Sequence, residues 1–325
     1  MNLTSVKDGS TEEVREKKLS SQVMLLISIV VLWGIFAVLS KYFLSFKNIM
    51  NLLQYSSILG IAACGMTFVI ISGSLDISVG SVAAFVAVYS ARFVQWTDLW
   101  WVGLFGGILL AVFCGCINAT MITFVRINPL ITTLGTMTIF RGIAHLENNS
   151  KSVPVTNEMF KQFGQGYFFG IPIIVLIMVA VFVLWGFVFK YTRFGREVYS
   201  VGGNAQASFL SGISVKRTRF FIYVIASLMA GFAGVCNASL VGAGPPNAGT
   251  ELALEAISSV ILGGAALAGG RGTIVGTALG VLVLGTISNG LTLLNVSSFY
   301  QMIFKGIILL LAVAIDVFKG EGAYE

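Results

Sequence analysis

Charge is what this chain has least of. Among its 325 residues only 10% are Asp, Glu, Lys or Arg, while 56% are hydrophobic and the mean hydropathy is +0.90. A water-soluble chain of this length needs far more polar surface, so a soluble domain is excluded. Strict alternation of apolar and polar residues is also missing. Apolar residues instead run continuously for bilayer lengths, which excludes a transmembrane barrel and leaves an all-α polytopic protein in a lipid bilayer. Histidine is nearly absent: His145 stands alone, so no multi-histidine metal centre can form. No lysine follows a glycine, which removes the Gly-Lys core of a Walker A phosphate loop. Neither a HExxH helix nor a serine triad can be assembled. No catalytic residue and no metal ligand is therefore assigned, and the chain does not read as an enzyme.

The four cysteines, Cys64, Cys114, Cys116 and Cys236, lie in apolar surroundings. Cys114 and Cys116 would point from different faces of one helix. They read as small core residues, without a redox or metal role. The net charge of +6 is gathered in connections, so topology explains it better than nucleic-acid binding does. The first eighteen residues are too polar to insert and read as a cytoplasmic tail, not as a secretory signal.

What is present is a series of apolar runs, at 20–40, 54–72, 78–94, 101–124, 129–146, 170–189, 220–240, 252–268, 273–292 and 298–318. These predict about ten spanning helices in a transmembrane domain over 19–318, followed by a short cytoplasmic tail at 319–325. Six basic residues, Lys190, Arg193, Arg196, Lys216, Arg217 and Arg219, crowd thirty positions against Glu197 alone. By the positive-inside rule that segment is cytoplasmic. Arg126, Arg271 and Lys319 then fall inside too, the 147–169 loop falls outside, and both termini are cytoplasmic. Residues 41–53 read as an interfacial segment. The stretch GAGPPNAGTE at 242–251 reads as a stiff external loop. The glycine-rich stretch 261–272 reads as helix packing followed by a tight inner turn.

Small residues recur at four-residue spacing in Gly103, Gly107, Ala111 and Gly115 of the fourth run, and in Gly272, Gly276 and Gly280 of the ninth. Such faces let helix backbones approach closely in lipid. The two runs stand five apart, and a repeat of five helices would place its two halves in inverted orientation.

Asp76 lies in SGSLDISVGS, where glycine and serine are dense enough to interrupt a helix. Its carboxylate can cap the next helix or meet a passing solute. Glu255, beside Glu251, stands where the eighth run begins, and Asp316 at the inner end of the last. Both positions suit helix ends that reach water. Asn118, Thr132, Thr133, Asn289, Asn295 and Gln301 offer neutral donors and acceptors. They can bond across helices or line a path for a hydroxylated solute. The candidate path residues are Asp76, Ser78, Asn118, Thr133, Glu255 and Asn289. Two transport classes fit these features. An ion-coupled secondary carrier of small polar solutes would rest on Asp76, which has no obvious basic partner. A permease powered by a separate ATPase would show no nucleotide motif and a substantial basic cytoplasmic segment, and both features are present.

Five ordered blocks carry a resemblance. They are GMTFVIISGSLDISVGS (65–81), GCINATMITFVRINPLITTLGTMTIFRG (115–142), TRFGREVYSVGGNAQASFLSGISV (192–215), ILGGAALAGGRGTIVGTALG (261–280), and NGLTLL (289–294) with AVAID (312–316). From about residue 45 to 318 the chain resembles the ribose/galactoside-type permease family of bacterial ABC sugar importers. The resemblance implies a ten-helix, dimerising subunit of the cytoplasmic (inner) membrane, its partner copy identical or a paralogue. It implies solute delivery by an extracytoplasmic binding protein. It also implies an ATP-binding subunit that carries two nucleotide domains with ATP and Mg, so that this chain holds no cofactor. Gly202, Gly203 and Asn204, with Leu210, Ser211 and Gly212, match the segment that couples to that ATPase, a short helix opened by Asn204 and closed by Gly212. The sequence departs from the family pattern at Ser74, at Ala253, at Glu255-Ala256-Ile257 and at Ala265-Ala266, so these residues do not assign ribose as the solute.

Overall fold

A computed structural model describes residues 10–321. Parts of the expected tails at 1–18 and 319–325 lie outside the described residues. The chain opens with α1 (Ser10–Leu39), α2 (Phe46–Ile71), α3 (Val79–Thr97), α4 (Trp100–Thr123) and α5 (Pro129–Leu146). A short excursion follows, comprising β1 (Val153–Pro154), α6 (Glu158–Gln165), β2 (Tyr167–Phe168) and β3 (Ile171–Pro172). Next come α7 (Ile173–Tyr191), the two short helices α8 (Arg193–Gly203) and α9 (Ala205–Leu210), and the long α10 (Val215–Val241). The chain closes with β4 (Ala243–Gly244), α11 (Leu252–Leu262), α12 (Ile274–Leu293) and α13 (Ser298–Glu321). Among the described residues, seven helices are long and apolar enough to cross a membrane: α1 from Gln22, α2, α3, α4, α7, α10 and α12. The molecule is an all-helical, polytopic membrane protein.

Helix α10 forms the centre and packs on α2, α3 and α4. Small residues permit that closeness. A Cβ on Gly234 would strike the Ala83 carbonyl of α3, and one on Gly231 would strike Ala111 of α4. A Cβ on Gly115 of α4 would lie 2.8 Å from the Cα of Val224. In lipid no hydrophobic effect draws helices together, so backbone approach and dispersion contacts do that work. Thr67 bonds the Ala63 carbonyl at 2.7 Å and meets Thr277 of α12 at 2.9 Å.

The connections sort onto two faces. On one, β1 pairs antiparallel with β4, Val153 opposite Gly244, and Gln54 donates to the Gly164 carbonyl (3.1 Å). On the other, the N–H of Gly270 donates to the Ile71 carbonyl (2.8 Å) and the Tyr199 hydroxyl to the Gly272 carbonyl (2.8 Å). Leu267 N–H reaches the Asp316 carboxylate on that same face (3.1 Å). Gln22 at the start of the apolar part of α1 bonds Thr273 there too (3.4 Å).

Several boundaries differ from the sequence expectation. Residues 46–53 form the first two turns of α2, opened by Ser45, whose hydroxyl accepts from Asn48 N–H. Lys216, Arg217 and Arg219 belong to the first turns of α10 instead of a loop. Helix α11 ends at Leu262 after 11 residues, about 16 Å of rise. Gly272, with φ +152, lies in the turn ahead of α12 and outside its small-residue face. Residues 242–251 do more than turn at the surface. Gly244 packs on Ala87 and Val88 of α3, and Gly249 on Gly80. The strand therefore descends beside α3 by seven or so residues, roughly 10–12 Å.

Candidate functional site

The candidate residues fall into three groups: coupling, path and helix packing. The coupling residues form one local structure. Asn204 is extended (φ −159, ψ 104) and its side chain accepts from Ala207 N–H, capping α9. At the other end Gly212 takes φ +82. Its N–H donates to the Phe209 carbonyl and the N–H of Ile213 to the Ser208 carbonyl, both at 3.0 Å. Both free ends of a six-residue helix are thus satisfied by the chain around it. Ser208 is buried beneath, while Phe209 and Leu210 stand 65% and 76% exposed. Glu197 ties α8 to α10, accepting from Arg193 (2.9 Å) and from the Thr218 hydroxyl (3.2 Å). A cleft of about 500 Å³ opens beside Gly212, lined by Arg193, Glu197, Ser214 and Arg217. Arg193, Arg196, Lys216 and Arg217 are exposed around it.

Behind this exposed helix lies a junction made almost wholly of backbone. Gly202, near the end of α8, abuts the Ile71 carbonyl at the end of α2 and the Gly270 N–H. A Cβ on Gly269 would lie 2.7 Å from both the Gly202 carbonyl and the Gly73 nitrogen. Three segments meet here with no side chain between them: the end of α8, the break after α2, and the turn between α11 and α12. The Tyr199 hydroxyl bonds Gly272 across the same place, and burial raises its phenol above the ordinary value.

The path residues do not converge on one site. Asp76, Ser78 and Asn118 do come together. Asp76 Oδ1 accepts from Ser78 N–H (2.9 Å) and from its hydroxyl (2.5 Å), forming a turn that opens α3. Asn118 Nδ2 of α4 donates to the same hydroxyl at 2.9 Å. Ser74 of this break meets the Tyr223 hydroxyl of α10. Thr133, buried on α5, bonds only the Leu130 carbonyl of its own helix. Asn289 exchanges amide hydrogen bonds with Asn48 of α2, at 2.9 and 3.0 Å.

Glu255 belongs to a different cluster. Lys305 of α13 donates to Glu255 at 2.5 Å and to Glu251 at 3.0 Å. Arg141 of α5 donates to the carbonyls of Pro246 (2.9 Å) and Ala248 (2.7 Å). Those bonds satisfy a descending strand whose polar backbone would otherwise lie unpaired. Lys305 and Arg141 were missed from sequence. The signal was available, since each is a lone cation inside an apolar run, where ionised side chains are costly.

The packing glycines face their neighbours at close range. Gly103 and Gly107 of α4 sit on Val94 and Ser90 of α3, and Gly276 and Gly280 of α12 sit on Gly263 and Ser259 of α11.

Residues 48–313 match the family described as branched-chain amino acid transport system / permease component. The ribose import permease protein RbsC of Bacillus subtilis is 43% identical over 293 residues, covering 87% of this chain and 88% of that one. RbsC of Escherichia coli K12 is 38% identical over 295 residues, with 90% and 92% covered. The L-arabinose transport system permease protein AraH of Escherichia coli K12 is also 38% identical over 295 residues, with 91% and 90% covered. No solved structure matches significantly. With most of its length inside that match and identities near forty per cent, the chain belongs to the branched-chain amino acid transport system / permease component family and is a multi-pass permease subunit of the bacterial inner membrane.

Proposed function

We propose that the chain is the membrane subunit of an ATP-driven ABC importer, carrying a sugar or a similar small hydroxylated solute into the cytoplasm by alternating access. The substrate class rests on the relatives, which are named for ribose import and L-arabinose transport. The single observation that carries the mechanism is the doubly capped, outward-facing α9, which follows directly on α8, whose Gly202 abuts the end of α2 and the α11–α12 turn. A rigid short helix with an apolar tip suits the cleft of a soluble subunit. The backbone contacts of Gly202, at the end of the adjoining α8, supply a route by which that subunit moves membrane helices. The soluble subunit is an ATPase with ATP and Mg in two nucleotide domains. An extracytoplasmic binding protein delivers solute to the opposite face, and a second permease copy or paralogue completes the complex.

We further propose ten passes, adding α5, α11 and α13 to the seven long apolar helices, with both termini cytoplasmic. The face that carries α8 and α9 is the basic one, which supports that orientation. An inverted five-plus-five repeat is supported by the glycine faces. In each half the fourth helix packs its glycines on the third, α4 on α3 and α12 on α11.

The test uses the tagged chain co-expressed with its ATPase and reconstituted in proteoliposomes. Co-purification of the ATPase, with uptake that requires ATP and binding protein, supports the proposal. Ion-gradient-driven uptake by the chain alone overturns it in favour of a secondary carrier. Within that assay, Asn204→Ala removes a helix cap of about 1 kcal/mol and Gly212→Val forces a β-branched residue to φ +82. Both are expected to lower uptake several-fold relative to ATP hydrolysed, with expression unchanged. Normal coupling in both variants would remove α9 from the mechanism.

A further inference from the structure

The cleft between α8 and α10 has two unlike halves. One is made of Arg193, Ser214 and Arg217, the other of Phe194, Phe221 and Ile225. Helix geometry sets their order. Arg217, Phe221 and Ile225 are the third, seventh and eleventh residues of α10, and four-residue spacing stacks them on one face. Ile225 lies about 12 Å along the axis beyond Arg217. Helix α10 is long and apolar enough to cross the membrane, so this face runs from a cation through an aromatic ring to an aliphatic chain as it enters the bilayer. The Arg217 guanidinium lies 5.9 Å from the centre of the Phe221 ring and joins the two halves.

The polar half holds uncommitted positive charge. Glu197, the carboxylate of the cleft, already accepts from Arg193 Nε and from the Thr218 hydroxyl. The Arg193 side chain still keeps 81% of its surface open. Among the described residues no carboxylate pairs with Arg217, or with Arg196 and Lys216 nearby. Ser214 gives α10 no side-chain cap, so the positive end of that helix opens on the same side. Cations and a helix start call for an anion, and the adjoining half calls for hydrocarbon. A phospholipid with an anionic headgroup carries both in that order, and it already lies at that depth. An acidic soluble partner would satisfy the arginines but leave Phe221 and Ile225 uncovered.

We infer that the cleft between α8 and α10 binds an anionic phospholipid of the inner leaflet, its phosphate held by Arg193 and Arg217 and one acyl chain laid along Phe221 and Ile225. This goes beyond the proposed function and takes from it only the orientation, which makes this face cytoplasmic. The lipid would brace α8 against α10 beside the exposed α9.

Native mass spectrometry of the purified full chain tests the inference. The protein in detergent is titrated with phosphatidylglycerol, or with phosphatidylcholine of the same acyl chains, and bound lipid is counted. The first phosphatidylglycerol is expected to bind at least tenfold tighter than the first phosphatidylcholine. Arg193→Gln with Arg217→Gln is expected to cut that preference at least fivefold, whereas Arg193→Lys with Arg217→Lys retains most of it. Lys41→Gln with Lys47→Gln removes two exposed cations at the far end of α2 and is expected to leave the preference intact. On the unsubstituted chain, glycerol 1-phosphate, a headgroup without acyl chains, is expected not to displace phosphatidylglycerol even at hundredfold excess; this arm needs no variant to fold. Equal binding of the two lipids, a preference that survives in the double glutamine variant, or displacement by glycerol 1-phosphate overturns the inference. None of these readings uses ATP or uptake, so their failure discards the lipid site alone and leaves the importer reading to its own assay.

Discussion

Gly202→Ala is expected to abolish ATP-driven uptake while Gly203→Ala, its direct neighbour, leaves uptake near the parent level. The two glycines are adjacent in α8 and differ only in what surrounds them. A Cβ on Gly203 meets nothing within 4 Å. One on Gly202 would overlap the Ile71 carbonyl and lie 2.7 Å from the Gly270 nitrogen. Overpacking a tight interior costs about 1–3 kcal/mol where side chains can yield. Here the obstructing atoms are backbone, with the Gly270 N–H already committed to the Ile71 carbonyl. Relief requires α8 to part from both the end of α2 and the Gly270 turn, or the end of α2 to shift together with the break that holds Asp76. The measurement is uptake and ATP hydrolysis in proteoliposomes, beside the melting temperature of the purified complex. Uptake at least tenfold down with hydrolysis retained is the expected pattern. Equal uptake in both variants would mean that the junction can open without consequence.

Lys305→Met is expected to produce the second large effect, on stability. It leaves Glu251 and Glu255 without the cation that bridges them at 3.0 and 2.5 Å. Removing one partner of a fully buried ion pair costs roughly 3–5 kcal/mol. These side chains keep a fifth to a third of their surface open, so solvent screening reduces the expected loss to about 1–3 kcal/mol. The loss is expected to appear as a fall of several degrees in the melting temperature in detergent. Glu255→Gln in the same chain removes one uncompensated carboxylate, so the double variant is expected to be more stable than Lys305→Met alone. Additivity of the two single changes within about 0.5 kcal/mol would show that the residues do not interact.

Much of the fold could be read from sequence because lipid imposes a simple rule: a spanning segment satisfies its own backbone and avoids charge. Charge-free runs therefore located the helices. The misplaced starts share one cause. Lys47, Asn48 and Asn51 held the expected start back to residue 54 without interrupting the helix, which already begins at Phe46. Asn48 is accommodated by the Phe43 carbonyl and Asn289, partners far away in sequence or outside the helix. Lys216, Arg217 and Arg219 likewise continue into α10. The α9 segment was legible because its caps are local, Asn204 bonding three residues ahead and Gly212 closing the turn. The path residues were not, because polarity alone does not say who meets whom. Asp76 and Asn118 converge through Ser78, whereas Glu255 goes to Lys305 and Asn289 to Asn48. Gly272 kept the four-residue rhythm of Gly276 and Gly280, yet its backbone at φ +152 takes it out of the helix. Rhythm in a glycine-rich segment reports spacing, and conformation decides whether that spacing becomes a face.

The exposed tip of α9 bears on how the subunit fares before assembly. Phe209 and Leu210 project from a pinned helix and cannot fold back to hide. A newly inserted copy carries that apolar tip into the cytosol until another subunit covers it. Under the docking proposed for α9, copies that lack the partner keep that apolar tip uncovered, and chaperones and proteases triage such exposure. The level of this chain is then expected to fall when the partner is depleted, and an unchanged level would count against that docking.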